Sequence, residues 1–98
     1  MPNTEEQEKK KKLRVEFVLN EPEAKEVLLL GDFNHWDPTG ASMKRDKNGT
    51  WKLRMSIPPG RYEYKLLIDG LWCLDGKNLQ RVTNRFGTKN NVLILPEK

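Results

Sequence analysis

Alternating apolar and polar residues predict a series of short β-strands along most of the chain. The stretch Leu13–Phe17 changes sides with every residue, which is typical of a strand that buries one face. Residues 27–30 form a continuous apolar run, as expected for a short strand buried on both faces. Residues 51–57 and 61–68 alternate again, and the parity of the first of these runs places Trp51 inward. No stretch has a helical period, so an all-β fold is expected.

Parity also predicts the register of the hairpin that leads into residues 51–57. A two-residue loop would pair Met43 with Arg54 and leave an apolar side chain on the solvent face. A three-residue loop over residues 47–49 instead pairs Met43 with Leu53 and places Gly49 in the left-handed region, where glycine is favoured. We therefore predict the three-residue loop.

The dipeptide Asp69–Gly70, between two apolar runs, predicts a hairpin with a two-residue loop. Such a loop pairs Leu67 with Trp72, so both side chains lie on the outer face of the sheet, with Lys65 diagonally adjacent. The residues that this register turns toward the core are Leu71 and Cys73. The hairpin is thus expected to present an indole on the surface beside an ammonium group.

About seven strands, punctuated by six prolines and seven glycines, favour one antiparallel β-sandwich over residues 13–98. Residues 1–12 hold seven charged side chains and have no apolar residue after Met1, which predicts a disordered, charged segment ahead of the domain. The chain of 98 residues is long enough for a single core of this kind.

Charge and composition exclude several classes of partner. The net charge of +4 arises from 18 basic residues scattered among 14 acidic ones, so nucleic acid is not an expected partner. No apolar run approaches the roughly 18 residues of a membrane span, so no membrane partner is expected. The single cysteine, Cys73, cannot form an internal disulfide and fits a reducing, cytoplasmic compartment.

The sequence contains no pattern typical of an active site or a metal centre. His35 and Cys73 are the sole residues of their types, and no phosphate loop or nucleophile motif occurs. The aspartates that could supply a catalytic carboxylate pair each adjoin a turn-forming residue, and they are Asp32, Asp37, Asp69 and Asp75. We expect a protein that is not an enzyme and that needs no metal or cofactor.

A second tryptophan, Trp36, lies in the loop 31–38, which follows the buried apolar run and is dense in turn formers. Two interpretations are open. The ring either folds back to cap the core or faces solvent, as Trp72 is expected to do.

The sequence resembles the family-48 carbohydrate-binding modules through four motifs. In chain order they are Gly31–Trp36, Pro58–Lys65, Ile68–Trp72 and Phe86–Val92. That family includes the glycogen-binding domain of the AMP-activated protein kinase β subunit and the N-terminal domains of glycogen-branching and debranching enzymes. The resemblance extends over roughly Leu13 to Leu95. It implies an immunoglobulin-like, early-set β-sandwich that binds α-1,4-glucans such as glycogen and starch fragments without catalysis.

The resemblance also implies the residues of the binding site. The sugar-stacking tryptophans of the family correspond to Trp36 and Trp72 in this sequence. The side chains that hydrogen-bond glucose hydroxyls correspond to Lys65 and Asn90, and Thr88 matches a nearby polar contact.

Phe86 departs from the family pattern, because kinase-type domains have a leucine there that reaches into the curve of the glucan. A bulkier, flatter ring is expected to change the preferred shape of the oligosaccharide.

Besides the glucan, the resemblance implies a glycogen-metabolising enzyme or a kinase as a partner. The alternative is a structural domain that packs its tryptophans on another protein without binding sugar. The resemblance fits a free-standing binder and a part of a larger protein equally well.

Overall fold

The computed structural model describes residues 12–37, 39 and 41–97. The charged segment predicted for residues 1–12 therefore lies outside the described residues, apart from Lys12. The described residues form eight strands and no α-helix, which confirms the all-β prediction. The strands are β1 (Leu13–Asn20), β2 (Val27–Gly31), β3 (Lys44–Arg45), β4 (Thr50–Ile57), β5 (Gly60–Ile68), β6 (Leu71–Cys73), β7 (Arg81–Thr83) and β8 (Lys89–Leu95). A single 3₁₀ turn, Asp32–Asn34, follows β2.

The strands pair into two antiparallel sheets. The first has the order β1-β4-β3, and the second has the order β2-β5-β8-β7, with β6 also paired to β5. Because β8 pairs with residues 60–64 and β6 with residues 66–68, the two lie end to end along the same edge of β5. The other edge of β5 pairs with β2 through residues 64–68. This central position makes β5 the strand around which the outer face of the second sheet is built.

The core lies between the two sheets. Its buried side chains come from both layers: Phe17, Trp51 and Ile57 from the first sheet, and Val27, Leu29, Tyr64 and Leu66 from the second. The rings of Phe17 and Tyr64 meet edge to face across the interface, with centroids 5.4 Å apart. Trp51 is buried as its parity predicted, and its Nε1 donates to the Glu21 carbonyl at 2.8 Å.

The segment 41–45 connects the two sheets by changing partner. The backbone N–H of Leu29 donates to the carbonyl of Ala41, and that of Met43 donates to the carbonyl of Val27, so this part pairs with β2. The next two residues form β3 and pair with β4 in the other sheet. One short segment therefore ties the layers together at one side of the sandwich.

The three-residue loop over residues 47–49 is confirmed. Asp46 N donates to the carbonyl of Thr50 at 2.9 Å, and Gly49 has a φ of 84°, in the left-handed region. Extending the register of Lys44 opposite Lys52 by one residue brings Met43 to the level of Leu53; Met43 is buried in the core and Leu53 packs against it. The requirement that apolar side chains share one face was sufficient to select this loop length.

The hairpin at Asp69–Gly70 has the predicted register, with Leu67 opposite Trp72. Both loop residues have positive φ, 50° and 82°, as the twisted two-residue turn requires. The inward placement of Leu71 was wrong, because this side chain is 70% exposed, whereas Cys73 does pack against the core. Leu71 directly follows the turn, at the tip of the hairpin, and is exposed although Ile68 opposite it packs against the core.

Candidate functional site

The loop after β2 begins at Gly31, where the side chain of any other residue would overlap neighbouring atoms unless those atoms moved. A Cβ on Gly31 would lie 2.6 Å from Cβ of Tyr64 and 2.7 Å from the carbonyl oxygen of Glu63. The Asn34 side chain then closes the turn, since its Oδ1 accepts from Gly31 N at 3.0 Å and its Nδ2 donates to the Leu29 carbonyl at 2.9 Å. The backbone at Gly31 therefore packs directly against β5 before the loop turns outward.

Trp36 is held in the left-handed region, with a φ of 58° that follows a φ of 57° at His35. Two consecutive non-glycine residues in this conformation are unfavourable by themselves, so contacts around them must maintain it. The backbone N of Trp36 donates to the Gly31 carbonyl at 2.9 Å. Its indole Nε1 donates to Oδ1 of Asp32, also at 2.9 Å, and this fixes the direction of the ring.

Trp36 and Trp72 lie side by side on the outer face of the second sheet. Their ring centroids are 6.3 Å apart and the ring planes are inclined by 59°. Trp72 is 54% exposed, and Trp36 is half-buried beside it, so the capping interpretation of Trp36 is not the one observed. The two indoles form an angled aromatic surface, although they come from a loop and from a hairpin 36 positions further along the chain.

This aromatic surface forms one wall of a groove of about 990 Å³. All six predicted site residues line this groove, and they are Trp36, Lys65, Trp72, Phe86, Thr88 and Asn90. The fold therefore brings together four motifs that are dispersed over more than fifty residues of sequence. Leu30 of β2 and Leu67 of β5 also line the groove, and Leu67 lies directly opposite Trp72 in the sheet.

The polar side of the groove is formed by β5 and β8. Lys65 Nζ donates to Oγ1 of Thr88 at 3.1 Å. Asn90 is 6% exposed; its Nδ2 donates to Glu63 Oε1 at 2.9 Å and its Oδ1 accepts from Asn84 Nδ2 at 3.0 Å. Lys65 and Thr88 line the groove, whereas the side chain of Asn90 has one donor hydrogen and one acceptor lone pair engaged within the protein, half of its hydrogen-bonding capacity.

Phe86 projects from the turn between β7 and β8 and is 77% exposed. The Arg85 guanidinium lies over its ring at 4.9 Å from the centroid, a cation–π contact that covers one ring face. The groove is therefore lined by a third aromatic side chain besides the tryptophan pair.

Two groups that organise this site were not predicted from the sequence. Asp32 was expected only to shape a turn, yet its Oδ2 also accepts from the backbone N of Glu63 at 2.8 Å, which ties the Trp36 loop to β5. Asn84 was not singled out. The one available signal is its spacing to Gly87, which repeats the spacing of Asp46 to Gly49 in the hairpin that parity did predict.

Among the described residues no cluster of three or more histidine, cysteine, aspartate or glutamate side chains could hold a metal ion. The part of the chain that the structure covers also contains no helix long and apolar enough to cross a bilayer. The groove combines flat apolar ring faces with hydrogen-bond donors and with the carboxylates of Asp32 and Glu63.

Comparison with known proteins identifies the class to which this fold and groove belong. A family model described as "Glycogen recognition site of AMP-activated protein kinase" matches residues 13–98. The chain belongs to this family of glycogen-recognition domains, which are non-catalytic carbohydrate-binding modules.

Several relatives share the module within longer chains. The chain is 37% identical over 83 residues to Protein PTST homolog 2, chloroplastic, of Arabidopsis thaliana, and 37% identical over 81 residues to Protein FLOURY ENDOSPERM 6, chloroplastic, of Oryza sativa. These matches cover 85% and 83% of this chain but 15% of each relative. It is also 36% identical over 69 residues to 5'-AMP-activated protein kinase subunit beta-1 of Sus scrofa, covering 70% of this chain and 53% of that protein.

A solved structure confirms the architecture. The crystal structure of maltogenic amylase from S. marinus matches with a TM-score of 0.73 at 22% identity, over 89% of this chain and 14% of that one. At this identity the likeness concerns the fold alone. It bears out the immunoglobulin-like, early-set β-sandwich that the resemblance had implied.

Proposed function

We propose that the groove binds an α-1,4-linked glucan by stacking neighbouring sugar rings on Trp36 and Trp72. The observation that carries this proposal is the relation between the two indoles, 6.3 Å apart and inclined by 59° on one exposed face. A glucan chain curves, so successive sugar rings are inclined to one another and an angled aromatic pair suits them better than a flat one. The membership in a family of glycogen-recognition domains supports the choice of glucan.

The energy of such a site comes mainly from covering apolar surface. Burying a tryptophan removes about 150–250 Å² from water, which at about 25 cal/mol per Å² sets a ceiling of roughly 4–6 kcal/mol per ring. Partial coverage and the ordering of a flexible sugar reduce this sharply. We therefore expect a dissociation constant on the order of micromolar to millimolar.

Polar groups orient the sugar rather than supply most of the affinity, because each exchanges a hydrogen bond to water for one to a hydroxyl. Lys65 has donors beyond the one that reaches Thr88 Oγ1, and both residues line the groove, so these donors are available to the sugar. Asn90 donates from Nδ2 to Glu63, so the second hydrogen of that amide is its contribution to a glucose hydroxyl. Phe86 supplies a further apolar surface to the sugar.

At the level of the whole protein, we propose that the module localises an attached or associated protein on glycogen or a starch-like polymer. The matched region makes up 15% of the two plant relatives, which supports a role as one part of a larger assembly. A glycogen-metabolising enzyme or a kinase is the partner that suits this role. The cytoplasmic location expected from Cys73 stays a prediction; the word chloroplastic belongs to the names of the plant relatives.

The proposal is tested by titrating the protein with maltoheptaose and with β-cyclodextrin while following tryptophan fluorescence and, independently, heat. Trp72→Ala and Trp36→Ala should each weaken binding at least tenfold, with little change in the melting temperature. Ile94→Ala is the matched control, since Ile94 lies on the same sheet, is 57% exposed and is not part of the groove. Trp51, buried in the core, supplies a fluorescence signal that sugar should not quench.

Unchanged affinity in both tryptophan variants would contradict the stacking proposal. If the wild-type protein binds neither sugar nor amylose resin but self-associates through the same tryptophans, the module is a protein-interaction domain instead.

A further inference from the structure

The turn that carries Phe86 is organised by the side chain of Asn84. Its Oδ1 accepts from the backbone N of Phe86 at 3.0 Å and from the backbone N of Thr88 at 3.2 Å. The backbone N of Asn84 donates to the Thr88 carbonyl at 2.7 Å, and Gly87 has a φ of 84°. These contacts define a three-residue hairpin loop between β7 and β8, with Phe86 at its centre.

A second turn in the same molecule has this geometry with an aspartate in place of the asparagine. Oδ1 of Asp46 accepts from Asn48 N at 2.8 Å and from Thr50 N at 3.1 Å, and Gly49 also has a φ of 84°. This turn joins β3 to β4 and contributes no residue to the groove. An aspartate is therefore sufficient to form the loop, and turn formation alone does not require asparagine at residue 84.

What the asparagine adds is a pair of donors. Nδ2 of Asn84 donates to Oγ1 of Thr88 at 2.8 Å and to Oδ1 of Asn90 at 3.0 Å. An aspartate has no hydrogen to give at either position. Because Oδ1 of Asn84 is already committed to two backbone N–H groups, the orientation of its amide is determined, and so is the direction of both donations.

These contacts determine whether the Thr88 hydroxyl donates or accepts a further hydrogen bond. Oγ1 accepts from Asn84 Nδ2 and from Lys65 Nζ, which uses both of its lone pairs. The hydroxyl hydrogen is then left to donate, and Thr88 is exposed at the groove. In the same way the donation to Asn90 Oδ1 leaves Asn90 to donate from Nδ2, toward Glu63 and into the groove.

Resting on the proposed function, we propose that Asn84 is the positioning residue of the glucan site. It holds Phe86 at the groove and sets Thr88 and Asn90 as hydrogen-bond donors toward the sugar, besides lining the groove itself. At Thr88 and Asn90 the site accordingly prefers ligand oxygens that accept, such as ring and glycosidic oxygens and hydroxyls oriented as acceptors. This assigns a binding role to a residue outside the set implied by the family resemblance.

The test compares Asn84→Asp with Asn84→Ala. Asn84→Asp keeps the acceptor for both backbone N–H groups, so the melting temperature should stay close to wild type. The new carboxylate takes the Thr88 hydroxyl hydrogen and repels Asn90 Oδ1, so affinity for maltoheptaose should fall about threefold to tenfold. Asn84→Ala should lose both stability and affinity.

Asp46→Ala is the matched control, because it removes the same two acceptor bonds from the equivalent turn away from the groove. It should lower the melting temperature about as much as Asn84→Ala and leave affinity unchanged. A double-mutant cycle adds a second readout: Thr88→Val should weaken binding in the wild-type background and have little further effect in Asn84→Asp.

Wild-type affinity in Asn84→Asp, or additive effects of Asn84→Asp and Thr88→Val, would overturn the proposal. Either result would leave the stacking site itself intact, provided that the wild-type protein binds maltoheptaose. Absence of binding by the wild type would instead refute the proposed function.

Discussion

Oδ1 of Asp32 accepts a 2.9 Å hydrogen bond from the indole nitrogen of Trp36, while its Oδ2 accepts one of 2.8 Å from the backbone of Glu63. One carboxylate thus joins the loop that carries Trp36 to the strand beneath the groove. Because the indole N–H is used inside the protein, Trp36 offers a ligand its ring face rather than a donor. The carboxylate also holds the ring at its inclination to Trp72, on which the proposed stacking depends.

Asp32→Ala is expected to weaken maltoheptaose binding by about threefold to tenfold, because the indole loses the bond that fixes its orientation. The free energy of unfolding should fall by no more than about 1–2 kcal/mol, since Asp32 is exposed. Isothermal titration and urea denaturation measure the two effects. Asp37→Ala is the control in the same loop, because its side chain bonds only to Thr39 among the described residues. Equal affinity losses in the two variants would contradict a specific role for Asp32.

Turn chemistry and parity were sufficient to predict the two hairpins, because a shift of one residue would have moved apolar side chains to the wrong face. The same parity placed Trp72 outside and Trp51 inside. It failed for Leu71, which is 70% exposed although Ile68, its partner in the hairpin, packs against the core. Burial at a strand end depends on the opposite layer, which a local pattern does not contain.

The site was predictable only in part for a related reason. Trp72 and Lys65 can be assigned to the site from the outer face of a strand, and Trp36 from its motif. Both signals are local patterns of the sequence. The bonds from Asn84 to Asn90 and from Asp32 to Glu63 join separate strands and loops, so they appear only once the sheet is assembled. That half of the hydrogen-bonding capacity of the Asn90 side chain is engaged inside the protein also follows from three-dimensional packing and has no signature in the sequence.

Gly31→Ala is expected to destabilise the fold by about 1–3 kcal/mol, because the new methyl group would overlap Tyr64 and the Glu63 backbone. It should also weaken glucan binding, since relief of the overlap moves the Trp36 loop away from β5. Gly76→Ala is the matched control, because a Cβ there meets nothing within 4 Å and its φ is not positive. Chemical denaturation of both variants, with sugar titrations of each, checks the prediction. Equal stability of the two would show that the close contact is easily relieved.

Asn91 is expected to be a structural residue, in contrast to its neighbour Asn90 on the other face of β8. It is fully buried; its Oδ1 accepts from Asp75 N at 2.7 Å, and its Nδ2 donates to the carbonyls of Asp75 and Asn78. Asn91→Ala leaves three backbone groups without these partners, so the free energy of unfolding should fall by at least about 2 kcal/mol. Affinity for maltoheptaose, measured below the melting temperature, should change less than twofold.

The control for Asn91→Ala is Asn48→Ala, which truncates an exposed asparagine in a turn and should have little effect on stability. Hydrogen exchange gives a more local measure. Amides of residues 75–78, which Asn91 anchors, should exchange faster in Asn91→Ala than in the wild type, whereas those of β4 should not. Uniform acceleration across both regions would indicate global destabilisation instead of a local anchor.

The free energy of unfolding should also depend on pH, through the titration of Asp46. Hydrogen bonds from the backbone N–H groups of Thr50 and Asn48 lower the pKa of this carboxyl below its ordinary value of 3.8. The unfolded chain therefore takes up a proton first as the pH falls, so this contribution is present above about pH 4 and is lost below it. Asp46→Asn keeps the acceptor, as Asn84 does in the equivalent turn, but does not titrate. The stability advantage of wild type over this variant should shrink between pH 6 and pH 3, measured by urea denaturation, and a constant difference would contradict the assignment.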